Sequence, residues 1–143
     1  MKIRNAKKED LKDIVSIFIT ESKKQPYLQK WTKKSATDDF KPFLKKKELW
    51  VAELDKKIVG FIMVGITSSN KKIAYISEFW VTKNYQEKGV GKNLLEFIEK
   101  HHKKKGVGII RLTSYNQSKA LGFYKKMNYK TSKNVTPLEK KLK

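Results

Sequence analysis

Val81-Thr82-Lys83-Asn84-Tyr85-Gln86-Glu87-Lys88-Gly89-Val90-Gly91-Lys92 joins an apolar run, residues 73–81, to a helical pattern, residues 93–105. The pattern predicts a strand that ends in a basic, glycine-containing loop and opens into a helix. The first turn of a helix leaves backbone N–H groups without intrahelical partners. The helix dipole adds roughly half a positive charge at the same place. Such an end suits a phosphate, and glycine lets the backbone approach an anion closely at positive φ. The ligand inferred is a pyrophosphate-bearing cofactor.

Two familiar phosphate loops do not match. A dinucleotide loop needs G-x-G-x-x-G, and Leu94 stands at its third glycine. A Walker loop needs G-x-x-x-x-G-K-[ST], which is absent. The stretch instead resembles the acyl-CoA loop of the GNAT N-acetyltransferase family, whose pattern Q/R-x-x-G-x-G/A is matched by Gln86, Gly89 and Gly91. The strand before it, Ile76-Ser77-Glu78-Phe79-Trp80-Val81, ends five residues before Gln86, as in that family.

The resemblance runs the length of the chain. Met1-Lys2-Ile3-Arg4-Asn5-Ala6 followed by Asp10-Leu11 is similar to the family's opening. Ala120-Leu121-Gly122-Phe123-Tyr124-Lys125-Lys126-Met127-Asn128-Tyr129 is similar to its A-x-x-F-Y-x-x-x-G-F/Y segment, with Asn128 in place of glycine. Asparagine tolerates the left-handed conformation at a helix end, so the departure is mild.

Periodicity predicts strands at residues 2–5, 49–54, 58–67, 72–81, 109–114, 129–132 and 138–142, with a hairpin turn at 55–57 and another turn at 68–71. Helices are expected from Asp10 to about Lys23 on the stripe Leu11, Ile14, Val15 and Phe18, then over 38–45, 93–105 and 117–127. Residues 25–35 read as irregular. The order β-α-α-β-β-β-α-β-α-β-β is that of the GNAT fold. The resemblance therefore implies an α/β (mixed α+β) domain over residues 1–143. Its sheet is mixed and mostly antiparallel, of six to seven strands, flanked by about four helices. It splays between the strand ending near Val81 and the strand starting near Ile109.

Composition narrows the class. The 143 residues suffice for one domain with a core, and 38% are hydrophobic. No apolar run approaches the ~18 residues of a membrane span, and the start Met1-Lys2-Ile3-Arg4 has no apolar signal region, so a cytoplasmic protein with no membrane partner is expected. The absence of cysteine excludes disulfides, thiolate metal sites and a cysteinyl acyl-enzyme. His101 and His102 are adjacent, read as surface or packing residues, and no metal is expected. The net charge of +20 points to an anionic partner or to a lysine-rich background. With only Arg4 and Arg111 as arginines, sequence-specific base reading is disfavoured, while non-specific nucleic-acid binding at low salt remains open.

The resemblance also implies site roles, with acetyl-CoA as co-substrate. Backbone N–H groups of Gln86, Glu87, Lys88, Gly89, Val90, Gly91 and Lys92 would hold the pyrophosphate. Phe79, Trp80 and Val81 would run along the pantetheine arm, with a bulge in that strand and the Val81 N–H on the thioester carbonyl. Lys83, Lys88 and Lys92 read either as phosphate contacts or as a solvated basic face. Tyr124 matches the family tyrosine that protonates the leaving thiolate, and it also lies on an apolar helical stripe where aromatics are usually core. Glu78 is the only carboxylate on the central strand. It reads as a general base, direct or through water, or as a half-buried carboxylate paired with a lysine. Its parity opposes that of Phe79 and Val81, and a bulge would be needed to bring them together. The family's pantetheine-contacting asparagine counts back to Gln117, with Asn116 one residue off. Asn116 reads equally as a helix N-cap. Tyr27 and Trp31 could wall an acceptor pocket or belong to a satellite core.

The leading reading is direct acetyl transfer from acetyl-CoA to a primary amine in a ternary complex. The basic surface argues mildly against a polycationic acceptor and leaves a protein amine or a modest-sized small amine. The alternatives are a non-catalytic acyl-CoA-binding domain and, far behind, a basic nucleic-acid-binding protein. A homodimer is left open.

Overall fold

The structure, a computed structural model, describes residues 1–67, 70 and 72–142. The turn expected at 68–71 lies outside the described residues except for Asn70. By internal contacts the chain divides into two compact units, Met1–Thr113 and Ser114–Lys143.

The first unit holds a mixed five-stranded sheet in the order β1-β2-β3-β4-β5. Its strands are β1 (Lys2–Asn5), β2 (Leu49–Leu54), β3 (Lys57–Ile66), β4 (Ile73–Val81) and β5 (Ile109–Arg111). The first four pair antiparallel, and β5 runs parallel to β4. Helices α1 (Leu11–Ser22), α2 (Lys33–Lys45) and α3 (Val90–Lys104) flank it. The second unit holds α4 (Lys119–Lys126). The architecture is thus mixed α/β, with four α-helices among the described residues.

One face of the sheet meets α1 and α2. The stripe Leu11, Ile14, Val15 and Phe18 is buried there against Phe40, Leu49, Val51, Phe61 and Met63. Phe18 and Phe40 have ring centroids 4.9 Å apart, and Phe40 and Phe61 5.7 Å. Alternation turns Ile62 and Val64 to the other face, where α3 packs on β2, β3 and β4 and buries Leu94, Leu95 and Ile98. Each large side chain so buried contributes about 1.5–3 kcal/mol of transfer free energy.

Several expected boundaries shift. The six or seven strands become five among the described residues, because 129–132 and 138–142 form no ladder. Residues 130–142 are exposed throughout, with Leu138 91% and Leu142 85% exposed. So lysine-rich a stretch buries too little apolar surface to offset the entropy of ordering. β5 stops at Arg111 rather than residue 114, because it parts from β4 there. α2 begins five residues early, since Thr32 accepts a bond from the Ser35 N–H at 3.0 Å and caps it. α3 begins at Val90 rather than 93, behind a left-handed Gly89.

Candidate active site

β4 sets the geometry. It pairs with β3 in regular register from Glu78↔Met63 through Phe79↔Ile62 and Trp80↔Phe61 to Val81↔Gly60. The register then shifts, with Ile76 opposite Val64, so Ser77 is the extra residue of a β-bulge. The bulge expected in this strand therefore lies just before Glu78. Downstream of it the alternation is regular, so the bulge does not bring Glu78 to the face of Phe79 and Val81: Glu78 and Trp80 face one side of the sheet, Phe79 and Val81 the other, and only the backbone N–H groups of the strand are shared between the two faces.

Backbone direction follows from the same register. The Thr82 N–H donates to the Val59 carbonyl at 2.9 Å. Alternation then turns the N–H and C=O groups of Phe79 and Val81 away from β3, toward the side where β5 lies. β5 accompanies β4 only from Ile73↔Ile109 to Tyr75↔Arg111. The parallel pair is thus splayed beyond Tyr75, alongside Phe79 and Val81.

The loop after β4 is a fixed shape. Lys83–Tyr85 forms a single 3-10 turn. Glu87 has φ +60° and Gly89 φ +86°. A Cβ on Gly89 would meet nothing within 4 Å, so glycine is required there by its left-handed backbone and not by crowding. α3 follows behind Gly89, which offers no side-chain cap, so the N–H groups of Val90, Gly91 and Lys92 are first-turn donors with no partner inside the helix. The Gln86 side chain braces the loop: its Nε2 donates to the Val81 carbonyl at 2.7 Å and to Glu21 Oε1 at 3.1 Å. Glu21, buried at the end of α1, also pairs with Lys24 at 2.8 Å. The side chains of Lys83, Glu87, Lys88 and Lys92 are exposed. Lys92 lies 4.0 Å from Glu96 and Lys88 sits 5.9 Å from the Tyr85 ring centroid.

Glu78 is half-buried on the α1/α2 side. Trp80 donates its indole N–H to Glu78 Oε1 at 2.7 Å. Glu78 is half-buried as one of its two readings had it, but among the described residues no lysine pairs with it. Burial pushes its carboxyl above the usual value, the Trp80 bond pulls it back, and the negative charge of Asp39 on α2 pushes it up again. The Trp80 ring packs edge-on against Tyr27 at 4.8 Å and Phe18 at 5.9 Å. Trp31 packs on Phe18 at 5.1 Å, and its indole N–H donates to Gln29 at 2.8 Å. Tyr27, Trp80, Phe18 and Trp31 thus form one aromatic chain, with Trp80 its link to Glu78.

In the second unit the helix cap is Ser118, whose Oγ accepts from the Leu121 N–H at 3.3 Å. Neither Asn116 nor Gln117 caps α4. Both are exposed in the turn before it. Because Ser118 caps, the helix starts at Lys119 and not at residue 117. Its other end is a Schellman motif: the Tyr129 N–H donates to the Tyr124 carbonyl at 2.9 Å and the Asn128 N–H to the Lys125 carbonyl at 3.1 Å. Asn128 has φ +70°, the left-handed residue this motif uses. Tyr124 is buried, with ring centroids 5.4 Å from Phe123 and 5.8 Å from Tyr129.

Three features escaped sequence reading. The Gln86 brace depends on a contact across elements, and the Trp80–Glu78 bond lies within β4, where the i, i+2 spacing on one strand face could have suggested it. The Ser118 cap was legible, since serine stands directly before Lys-Ala-Leu. His101 and His102 pack, as one of their two readings had it: His101 lies 4.7 Å from the Trp50 ring, and buried His102 bonds the Ile98 carbonyl at 2.9 Å. Among the described residues no group of three or more His, Asp or Glu is placed to hold a metal, and no helix is long and apolar enough to cross a membrane.

Comparison with known proteins bears on this geometry. A model of the family described as "Acetyltransferase (GNAT) family" matches residues 16–129. The chain is similar to a probable N-acetyltransferase 14 of Xenopus tropicalis, 34% identical over 88 residues, covering 60% of this chain and 42% of that protein. It is also similar to an uncharacterized N-acetyltransferase of Methanocaldococcus jannaschii, 29% identical over 134 residues, covering 89% of this chain and 59% of the other. The matched regions thus span less than two thirds of either relative. A solved structure of a possible acetyltransferase from Clostridium difficile 630 shares the fold with a TM-score of 0.81 at 22% identity, over 99% of this chain and 98% of that one.

Proposed function

The chain belongs to the acetyltransferase (GNAT) family, and on that premise we propose that it moves an acetyl group from acetyl-CoA directly to a primary amine. The observation that carries the reading is the end of β4 running into α3. The strand's neighbour has parted from it, so an extended ligand arm fits along Phe79 and Val81 in the manner of an added strand. The loop then turns two residues to positive φ and points the first-turn N–H groups of Val90, Gly91 and Lys92 outward, which suits a pyrophosphate.

Acetyl-CoA, when bound, supplies the acetyl group as a thioester. The chain's own residues do the rest. The Val81 N–H donates to the thioester carbonyl oxygen as it gains negative charge. Glu78 takes a proton from the acceptor's ammonium, directly or through a water, so that the nitrogen lone pair forms the new C–N bond as the C–S bond breaks, and the nitrogen's second surplus proton passes to solvent as the neutral amide forms. Its raised pKa fits it to that task, since a base works best with a pKa near the operating pH. Tyr124 gives its phenolic proton to the departing sulfur; with the phenol at ~10 and the thiol at ~8.5 the transfer is uphill by about 1.5 units, within reach of a positioned general acid. That role for Tyr124 rests on its place in the family motif. Asn116 or Gln117 serves the pantetheine arm. A single catalytic domain over residues 1–143 and a cytoplasmic location belong to the same reading.

Calorimetric titration of acetyl-CoA into wild type and Gly89→Glu at physiological salt tests it. Micromolar-range binding is expected for wild type and loss of at least tenfold for the variant, whose carboxylate strains the left-handed position and repels phosphate. A panel of amines with detection of released thiol then identifies the acceptor. No binding by folded wild type sinks the reading. Binding without turnover on any amine leaves the non-catalytic alternative.

A further inference from the structure

Glu78 stands in an unusual place for this chain. The sequence has 34 basic and 14 acidic residues, yet this half-buried carboxylate has no cation beside it among the described residues. Its one hydrogen bond there is from Trp80 Nε1 to Oε1, at 2.7 Å. The other oxygen, Oε2, takes no hydrogen bond or ion pair from a described residue. The indole that holds Oε1 is itself held: Phe18 at 5.9 Å is fully buried, and Tyr27 lies at 4.8 Å. The bond spans two residues of one strand, and the regular register from Glu78 to Val81 keeps both side chains on the same face.

We propose that Trp80 is a positioning residue for the transfer: its indole N–H fixes Oε1 of Glu78 and leaves Oε2 to receive the acceptor's ammonium. A carboxylate on a strand has two freely turning torsions beyond Cβ, and a general base must lie within hydrogen-bond reach of the proton it removes. Anchoring one oxygen to a ring locked by packing removes that freedom before the acceptor arrives. The anchor has a second effect. A donor to the charged form favours that form, so it opposes the burial and the Asp39 charge that act on Glu78. The inference rests on Glu78 acting as the base.

The test uses Trp80→Phe, which keeps a ring against Phe18 and Tyr27 and removes the N–H. Glu78 is followed by carboxyl-carbon NMR titration, assigned with Glu78→Gln, and kcat/KM is measured against pH in the same samples. The expected result is a Glu78 midpoint about one unit higher in the variant, with the acidic limb of kcat/KM moving by the same amount. In wild type the Trp80 indole N–H resonance should shift with the Glu78 midpoint, a readout that survives if the variant does not fold. An indole resonance blind to Glu78, or a midpoint that stays put in Trp80→Phe, overturns the role of Trp80 alone. A midpoint that moves while the wild-type rate limb does not follow Glu78 overturns Glu78 as base, and the positioning role with it.

Discussion

Burial and hydrogen bonding pull Glu78 in opposite directions, and burial wins, so its carboxyl binds protons more tightly folded than unfolded. A group raised in this way stabilises the fold fully below its unfolded value of ~4.5 and loses that contribution as pH rises through the folded value. At neutral pH the charged side chain is therefore a cost. Glu78→Gln, whose amide oxygen can still accept the Trp80 N–H, is expected to melt at the same temperature as wild type or higher at pH 7. Its kcat/KM should fall about 10²–10⁴-fold, the range for losing a general base, with acetyl-CoA affinity unchanged. A variant that keeps full activity would remove Glu78 from the chemistry, whereas one that melts lower would show that the charge is stabilising. Glu78 was legible in sequence as the carboxylate of the central strand. The i, i+2 spacing put Trp80 on the same strand face, but it did not say that the indole, and none of the lysines among the described residues, would be the partner.

At the scale of elements, local signals set most boundaries. The period of Leu11, Ile14, Val15 and Phe18 gave α1, because an apolar stripe at that spacing can be buried only as a helix. Caps set the ends that periodicity misplaced. Thr32 moved the start of α2, the left-handed Gly89 the start of α3, and Ser118 the start of α4. Each cap satisfies or redirects first-turn donors that hydrophobic pattern does not report. The eight-residue α4 depends heavily on its ends. Ser118→Ala should cost it about 1 kcal/mol, visible as roughly fivefold faster hydrogen exchange at the amides of its first turn. Unchanged exchange would mean that packing, not the cap, holds this helix.

For the molecule as a whole, charge and burial act on different properties. The net charge of +20 shapes encounters with anions and is not a statement about fold. Titration of buried groups does bear on stability. Burial lowers the pKa of His102, the Ile98 carbonyl opposes this, and Lys105 adds to the lowering. His101 is lowered as well, first by burial. The unfolded chain then binds more protons than the folded one just below pH ~6.5, so stability is full above that value and falls as pH drops through the folded values. The melting temperature should decline between pH 7.5 and 5.5, and less steeply in His102→Gln. Parallel declines in the two proteins would show that His102 stays uncharged or is equally solvated in both states.

The sequence by itself determined the order of elements as far as α4, the stripe that α1 buries, and the strand-loop-helix that suits a pyrophosphate. These are local facts, written in periodicity, glycine placement and a motif of fixed spacing. The tertiary structure decided which lysine-rich segments would not pair, since residues 130–142 find too little to bury. It placed the bulge at Ser77, which settles the face on which each side chain of β4 falls, because a shift of one residue reverses every face downstream. It also chose the companion of Gln86, since Glu21 lies 65 residues away and only the packing of α1 against the sheet brings the two within hydrogen-bond distance.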